Sequence, residues 1–272
     1  MEPAVRLWWT FLCAVSVLNV LLWLAVWRRL GRLDASAPDD ERALRRRLLL
    51  LALVYVVGCA FRSVVPRADL QRLCLLDSWI ACVGVGRSVA TVAELCFVAQ
   101  WALLLHDAGR RADSGLARGV ALVTVPAIAV AELSSWYAVL STNALGNALE
   151  QSIWTTTGAL QGLAVASLWP RAASRLRPYL ALAVVAALLF VAFMTSTDIP
   201  MYLRRWWADE AAGRPYLSLG DGLRDVFGRR VVSGALADWR EEMAWMGLYF
   251  SACVWLSVGL VHAPRFEAAP AS

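Results

Sequence analysis

Residues 79–105, WIACVGVGRSVATVAELCFVAQWALLL, decide how the chain is read, because a long apolar run here carries Arg87 and Glu94 near its centre. A helix crossing a hydrocarbon core of about 30 Å needs roughly 20 mostly apolar residues, and this run supplies them. Six more such runs, each bounded by charge, Pro or Gly, fall at 7–27, 48–65, 120–140, 152–169, 179–198 and 244–261. The run at 152–169 is the most dilute, interrupted by Thr155, Thr156, Thr157 and Gln161. Losing it would invert everything downstream.

Composition agrees with the runs. The 272 residues are 60% hydrophobic and 17% charged, with a mean hydropathy of +0.57. That is more apolar surface than a soluble domain of this size can bury, so the excess needs a bilayer. A net charge of +5 and a pI near 9.1 could point to nucleic acid, but the arginines occupy the gaps between apolar runs rather than one patch. Their placement is topological, and no nucleic-acid partner is expected. The chain has no lysine, which excludes a retinal Schiff base and with it a photoreceptor reading of the seven runs.

The expected fold is therefore all-α: a polytopic membrane helix bundle of about seven transmembrane helices, forming a single domain over 1–272. The first run is too long for a secretory signal and ends in Trp27-Arg28-Arg29 rather than small residues, so it reads as a retained anchor. Short loops set orientation through their arginines. Arg28, Arg29, Arg32, Arg42, Arg45, Arg46 and Arg47 follow the first run, Arg110, Arg111 and Arg118 the third, and Arg171, Arg175 and Arg177 the fifth. The gap at 66–78 has only Arg67 and Arg72, and that at 141–151 has none. The amino terminus is then outside and the carboxyl terminus inside, as in a bacterial inner membrane. Trp8, Trp9, Trp27, Trp79, Trp101, Trp136, Trp154, Trp169, Trp206 and Trp207 lie near run ends, where aromatic belts form. The long outer-side segment 199–243 is punctuated by Gly213-Arg214-Pro215, Gly220-Asp221-Gly222 and Gly228. It is expected to form short interfacial turns or helices, with 223–239 along the membrane surface.

Several chemistries are excluded. Two histidines, His106 and His262, cannot build the histidine clusters of di-iron membrane enzymes. Six cysteines contain no Cys-x-x-Cys pair, so neither a redox dithiol nor a zinc site is signalled, although Cys59, Cys74 and Cys82 could approach one another near the outer face. Phosphate-cradling loops, nucleophile elbows and dinucleotide fingerprints are absent. No cofactor and no metal is implied.

What remains is charge placed where a bilayer penalises it. An Arg or Glu at a helix centre costs about 2.5–3.5 kcal/mol on insertion scales, so each is a functional candidate. Arg87 and Glu94 are seven residues apart, two helical turns, and share a face with Gly84, Ser88 and Thr91. Partners are expected from other runs: Glu132 after a kink at Pro126, Asp198 closing the sixth run beside Pro200, Arg62 in the second, and Glu150, Gln151, Thr157 and Gln161 in the fifth. With the orientation above, these residues lie in the outer half, which implies a polar site opening outward. Such charges can also serve only to fix helix register.

Candidate catalytic residues are Glu132, Glu94 and Asp198; candidate substrate-binding residues are Arg87, Arg62, Thr91, Gln161 and Glu150. Two carboxylates in a low-dielectric setting do not both stay ionised without cations, so one of Glu94 and Glu132 is a proton donor or carrier. Glu94 shares its stripe with Arg87 and reads as the ion-paired member. Glu132, among Val130, Ala131 and Leu133, reads as the donor. Three functions fit this set. One is an intramembrane enzyme using carboxylate acid/base chemistry on a lipid-like or isoprenoid amphiphile. The others are a proton-coupled small-solute transporter and a ligand-sensing receptor. The expected partners are the bilayer and an amphiphilic small molecule.

Overall fold

The computed structural model describes residues 1–33 and 38–269, without the side chains of 31–33; Arg32, counted above among the inner arginines, is one of these. The described chain is all-α apart from three two-residue strands. Its α-helices are α1 (Pro3–Leu33), α2 (Asp39–Val64), α3 (Val83–Arg111), α4 (Gly115–Ser141), α5 (Ala144–Ser167), α6 (Arg177–Phe193), α7 (Ile199–Ala211), α8 (Leu219–Gly228), α9 (Leu236–Leu248) and α10 (Val254–Leu260). Among the described residues, six helical segments are long and apolar enough to cross a membrane: Pro3–Leu30, Asp39–Val64, Val83–Arg111, Gly115–Ser141, Ser174–Ala211 and Leu236–Leu260. By helix length and composition the chain is a multi-pass membrane protein. Helix α5 has 24 residues but is less apolar and is not among the six.

Local chemistry explains the helix ends. Asp39, Asp40 and Glu41 occupy the first turn of α2, where the helix dipole favours negative charge. Between α4 and α5, Thr142 takes a left-handed conformation (φ +62°). Asn143 then caps α5 by accepting from the Leu145 N–H at 2.9 Å. These two residues turn α4 directly into α5, and the hairpin closes tightly at Gly146, where a Cβ would lie 2.7 Å from the Ser134 carbonyl oxygen.

Two boundaries depart from the sequence reading. The sixth run does not end at Asp198. The helix passes through a π-helical turn, Met194–Asp198, into α7, with the Ile199 N–H bonded to the Met194 carbonyl five residues back. Pro200 is tolerated there because the second position of α7 sits beside this wide turn, where the regular ladder is already displaced. Residues 199–243 are thus largely helical, and the last span begins at Leu236, not 244. Pro126, where the sequence reading expects a kink, lies inside the continuous helix α4.

The chain divides into two compact units. The first comprises Met1–Gln100 and Leu223–Ala263, the second Trp101–Gly222 and the tail from Pro264. In the first unit, Val5, Trp8, Leu12, Tyr55, Trp239 and Phe250 anchor the core. One end carries a small sheet: β1 (Arg67–Ala68) pairs antiparallel with β2 (Leu73–Cys74), and β2 pairs in parallel with β3 (Val231–Val232). The second unit packs around Leu105, Ala117, Ala164, Leu168 and Phe266. Its tail is pinned by Arg265, which bonds both oxygens of Asp107 at 2.8 and 3.2 Å. All six cysteines are free.

Candidate functional site

In the first unit, three helices converge on one carboxylate. The two-turn spacing on α3 lets the Arg87 Nη2 donate to Glu94 Oε2 at 3.4 Å. Arg62, in the last turn of α2, donates to Glu94 Oε1 at 3.4 Å, and the Tyr249 hydroxyl donates to the same oxygen at 3.2 Å. The Arg62 guanidinium also lies 5.8 Å from the ring centre of Tyr249 and 5.4 Å from that of Phe250, a cation–π arrangement. All three charged side chains are nearly buried. The Coulomb gain of such pairs is offset by several kcal/mol of desolvation per ion, so net stability is a weak reason for the cluster. Both Arg–Glu contacts are also longer than the usual 2.7–2.9 Å of a charge-assisted hydrogen bond.

Tyr249 reaches Glu94 from an irregular piece of helix. It opens a second π-helical turn, Tyr249–Cys253, between α9 and α10. Such a turn displaces the backbone ladder, and here the Phe250 carbonyl accepts from Asn19 Nδ2 of α1 at 2.7 Å. Asn19 Oδ1 in turn accepts from Trp255 Nε1 at 2.9 Å. A fully buried amide in an apolar helix thus holds the turn that presents Tyr249. One helical layer away, Gln100 donates to the Leu48 and Ser257 carbonyls at 2.9 and 3.1 Å and accepts from the Ser257 hydroxyl at 2.6 Å.

Between α2 and α3, Arg67 Nε donates to Asp69 at 2.8 Å. Arg72, at φ +56°, donates to Asp225 at 2.6 Å and to the Asp69 carbonyl at 2.7 Å. Burial, the repulsion of Arg62 and Arg87, and only partial relief from Asp69 pull the Arg67 guanidinium down to about 10. For Asp69, burial works to raise the carboxyl, but Arg67, Arg87 and Arg62 together outweigh it and hold the group below its usual range.

The second unit has carboxyl groups on facing helices. Glu132 of α4 and Glu150 of α5 are both buried, at 2% and 4% exposure, and their carboxylate oxygens lie within 4.8 Å of one another. Asn147 Nδ2 donates to Glu150 at 3.2 Å. Further along the same hairpin, Gln161 donates to the Thr124 hydroxyl at 3.3 Å. Asp198 is half-buried on the π-helical turn that packs against α5.

Of the residues singled out in the sequence, the structure brings Arg62, Arg87 and Glu94 together in the first unit, with Thr91 half-buried between the last two on α3. It brings Glu132 and Glu150 together in the second unit, while Gln161 and Asp198 lie elsewhere in that unit. The chain matches no family model, no curated protein and no solved structure. Function must therefore be argued from geometry. Sequence reasoning missed Asn19, Gln100 and Tyr249. The two lone amides inside apolar runs were a usable signal, since an unpartnered amide in lipid is costly. Tyr249 carried none, because only the π-helical turn aims it.

Proposed function

We propose that the protein is a membrane-embedded enzyme that holds a lipid-like or isoprenoid amphiphile by an anionic group and acts on it by carboxylate acid/base chemistry. The observation that carries this reading is Glu94, gripped by Arg62, Arg87 and Tyr249 from three helices through long contacts. Guanidinium groups in this arrangement can exchange part of their grip on Glu94 for a substrate oxyanion. Tyr249 can keep its hydrogen bond to the carboxylate as they do. Glu132, with Glu150 beside it, is the proton-handling pair; Thr91, Gln161 and Asp198 complete the assigned polar set. The test is purified protein in vesicles with added lipid or isoprenoid phosphate, its chemical change followed by mass spectrometry. Substrate-dependent proton flux with no chemical change would overturn the enzyme and leave the second reading, a proton-coupled transporter. The buried Glu132–Glu150 pair favours that alternative.

The topology belongs to the same proposal: seven spans, with the amino terminus outside and the carboxyl terminus inside a bacterial plasma membrane. Helix α5 is the seventh. Its 24 residues give about 36 Å at 1.5 Å per residue, enough to cross. Its polarity is partly internal, since the Ser152, Thr155 and Thr156 hydroxyls return to carbonyls one turn back at 2.6–2.8 Å. Reporter fusions at Ser114 and Ala173 should read cytoplasmic and one at Asp221 external. A cytoplasmic reading at Asp221 would remove α5 from the membrane.

A further inference from the structure

Arg67 stands three residues past the end of α2, and its side chain is 2% exposed. Asp69 occupies only its Nε; Nη1 and Nη2 are buried and have no hydrogen-bond partner among the described residues. A guanidinium has five N–H donors, so four are left facing nothing that accepts them. The group lies against Gly86, where any Cβ would collide with it, in the first turn of the 29-residue α3. The amino-terminal end of a long helix carries partial positive charge and free backbone N–H groups. A buried cation parked there is opposed by the helix as well as by its neighbours Arg62 and Arg87, which already disfavour its charged form.

Every one of these features is reversed in sign by an anion. We infer that Arg67 and the first turn of α3 bind a phosphate-class oxyanion, the headgroup of an amphiphile seated where α2 ends and α3 begins. Two phosphate oxygens match the paired Nη groups, and the helix terminus supplies further donors. Water could fill some of the donors but would not offset the charge. The location selects among sources: a residue just beyond one span and a glycine just inside the next lie at headgroup depth. Gly86 is then required because the guanidinium must lie on the helix backbone for its outer edge to face the ligand. The inference deepens the enzyme reading, on which its link to turnover rests, by giving the substrate's anionic group a chemical class.

The experiment uses the full chain in phosphatidylcholine nanodiscs, challenged with phosphatidylglycerol in the disc or with inorganic phosphate in solution. Binding is followed by tryptophan fluorescence and by native mass spectrometry, which counts the phosphatidylglycerol or phosphate that stays on the protein. Phosphatidylglycerol should bind, be retained on the parent, and lose about tenfold in affinity in Arg67→Gln. Binding and retention of inorganic phosphate alone would reassign the site to a free ion and overturn the headgroup assignment. Retention of neither probe, or undiminished binding by Arg67→Gln, would overturn the site altogether. Should Arg67→Gln fail to fold, retention by the parent decides. Failure of the enzyme reading looks different: retained phosphatidylglycerol that is chemically unchanged leaves the site standing and removes the enzyme.

Discussion

The two units treat the same residue type in opposite ways. In the first, Glu94 accepts from three donors, two guanidiniums and a tyrosine hydroxyl. In the second, Glu132 and Glu150 bring carboxylate oxygens within 4.8 Å of each other across a tight helix hairpin, with the amide of Asn147 donating to Glu150. A carboxylate that accepts charge-assisted bonds is a fixture, whereas the buried Glu132 and Glu150 are the pair to which the proposed function gives the proton. On the proposed function, holding an anion belongs to the first unit and moving a proton to the second.

The largest test of that division is a split between binding and turnover. Gln at 132 keeps size and hydrogen bonding but cannot release a proton, so Glu132→Gln should lower turnover by about 100-fold or more while leaving amphiphile affinity nearly intact. Glu94→Gln should do the reverse, weakening binding or folding, because it removes the anion that organises Arg62 and Arg87. Affinity and turnover (or proton flux) measured on both purified variants decide the matter. Full activity in Glu132→Gln across the working pH range would erase the distinction between the units.

Next in size is stability. Arg87→Leu removes one cation from a buried carboxylate, which costs about 3–5 kcal/mol unless Glu94 takes up a proton. Arg87→Leu with Glu94→Leu should recover the melting temperature without recovering activity. A fully active double variant would make the cluster a register device and nothing more. A smaller loss is expected from Asn19→Leu, which strands the Phe250 carbonyl and the Trp255 indole N–H. Leaving such groups unsatisfied costs about 1–3 kcal/mol each. If Asn19 does hold the π-helical turn, the variant should also weaken amphiphile binding through Tyr249, although it touches no ligand. An unchanged affinity would separate the turn from the site.

How much of this was legible in the sequence differs between the units. The Arg87–Glu94 contact follows from helical arithmetic, since seven residues bring side chains to one face. Glu132 and Glu150 could each be named from the penalty of burying charge, but their approach depends on the turn at Thr142 and Asn143 and on Gly146, which hydropathy does not register. Both π-helical turns were invisible, and with them the continuity of the helix past Asp198 and the aim of Tyr249. One extra residue in a turn leaves the apolar pattern intact while rotating everything that follows. The small sheet joining 66–78 to 229–233 is absent from the sequence reading, which takes 66–78 as a gap between runs and 223–239 as a stretch along the membrane surface, because two-residue strands leave no periodic signal.

The smallest effect sharpens the comparison through pH, because the carboxyl-terminal stretch places one titrating group in each unit. His262 belongs to the first unit and is held below its ordinary 6.5 by partial loss of hydration and by Arg29 and Arg45. Glu267 belongs to the second and is held below its ordinary 4.5, chiefly by the hydrogen bond from Arg175. For His262 the unfolded chain binds the proton more readily, so stability is highest above 6.5 and falls as pH drops through that value. For Glu267 the unfolded chain again binds the proton more readily, but stability is lost only as pH falls below 4.5. Both groups are exposed, so each effect should be a shift of a few degrees at most. Between pH 7 and about 5.5, His262→Gln should melt with less pH dependence than the parent, and Glu267→Gln should track the parent. Below the ordinary carboxylate range the assignment reverses, with Glu267→Gln the flatter of the two. Melting curves of the parent and both variants across that range give the answer. A His262→Gln curve parallel to the parent's from neutral to mildly acidic pH would show that the arginines near His262 do not reach it in the folded membrane protein.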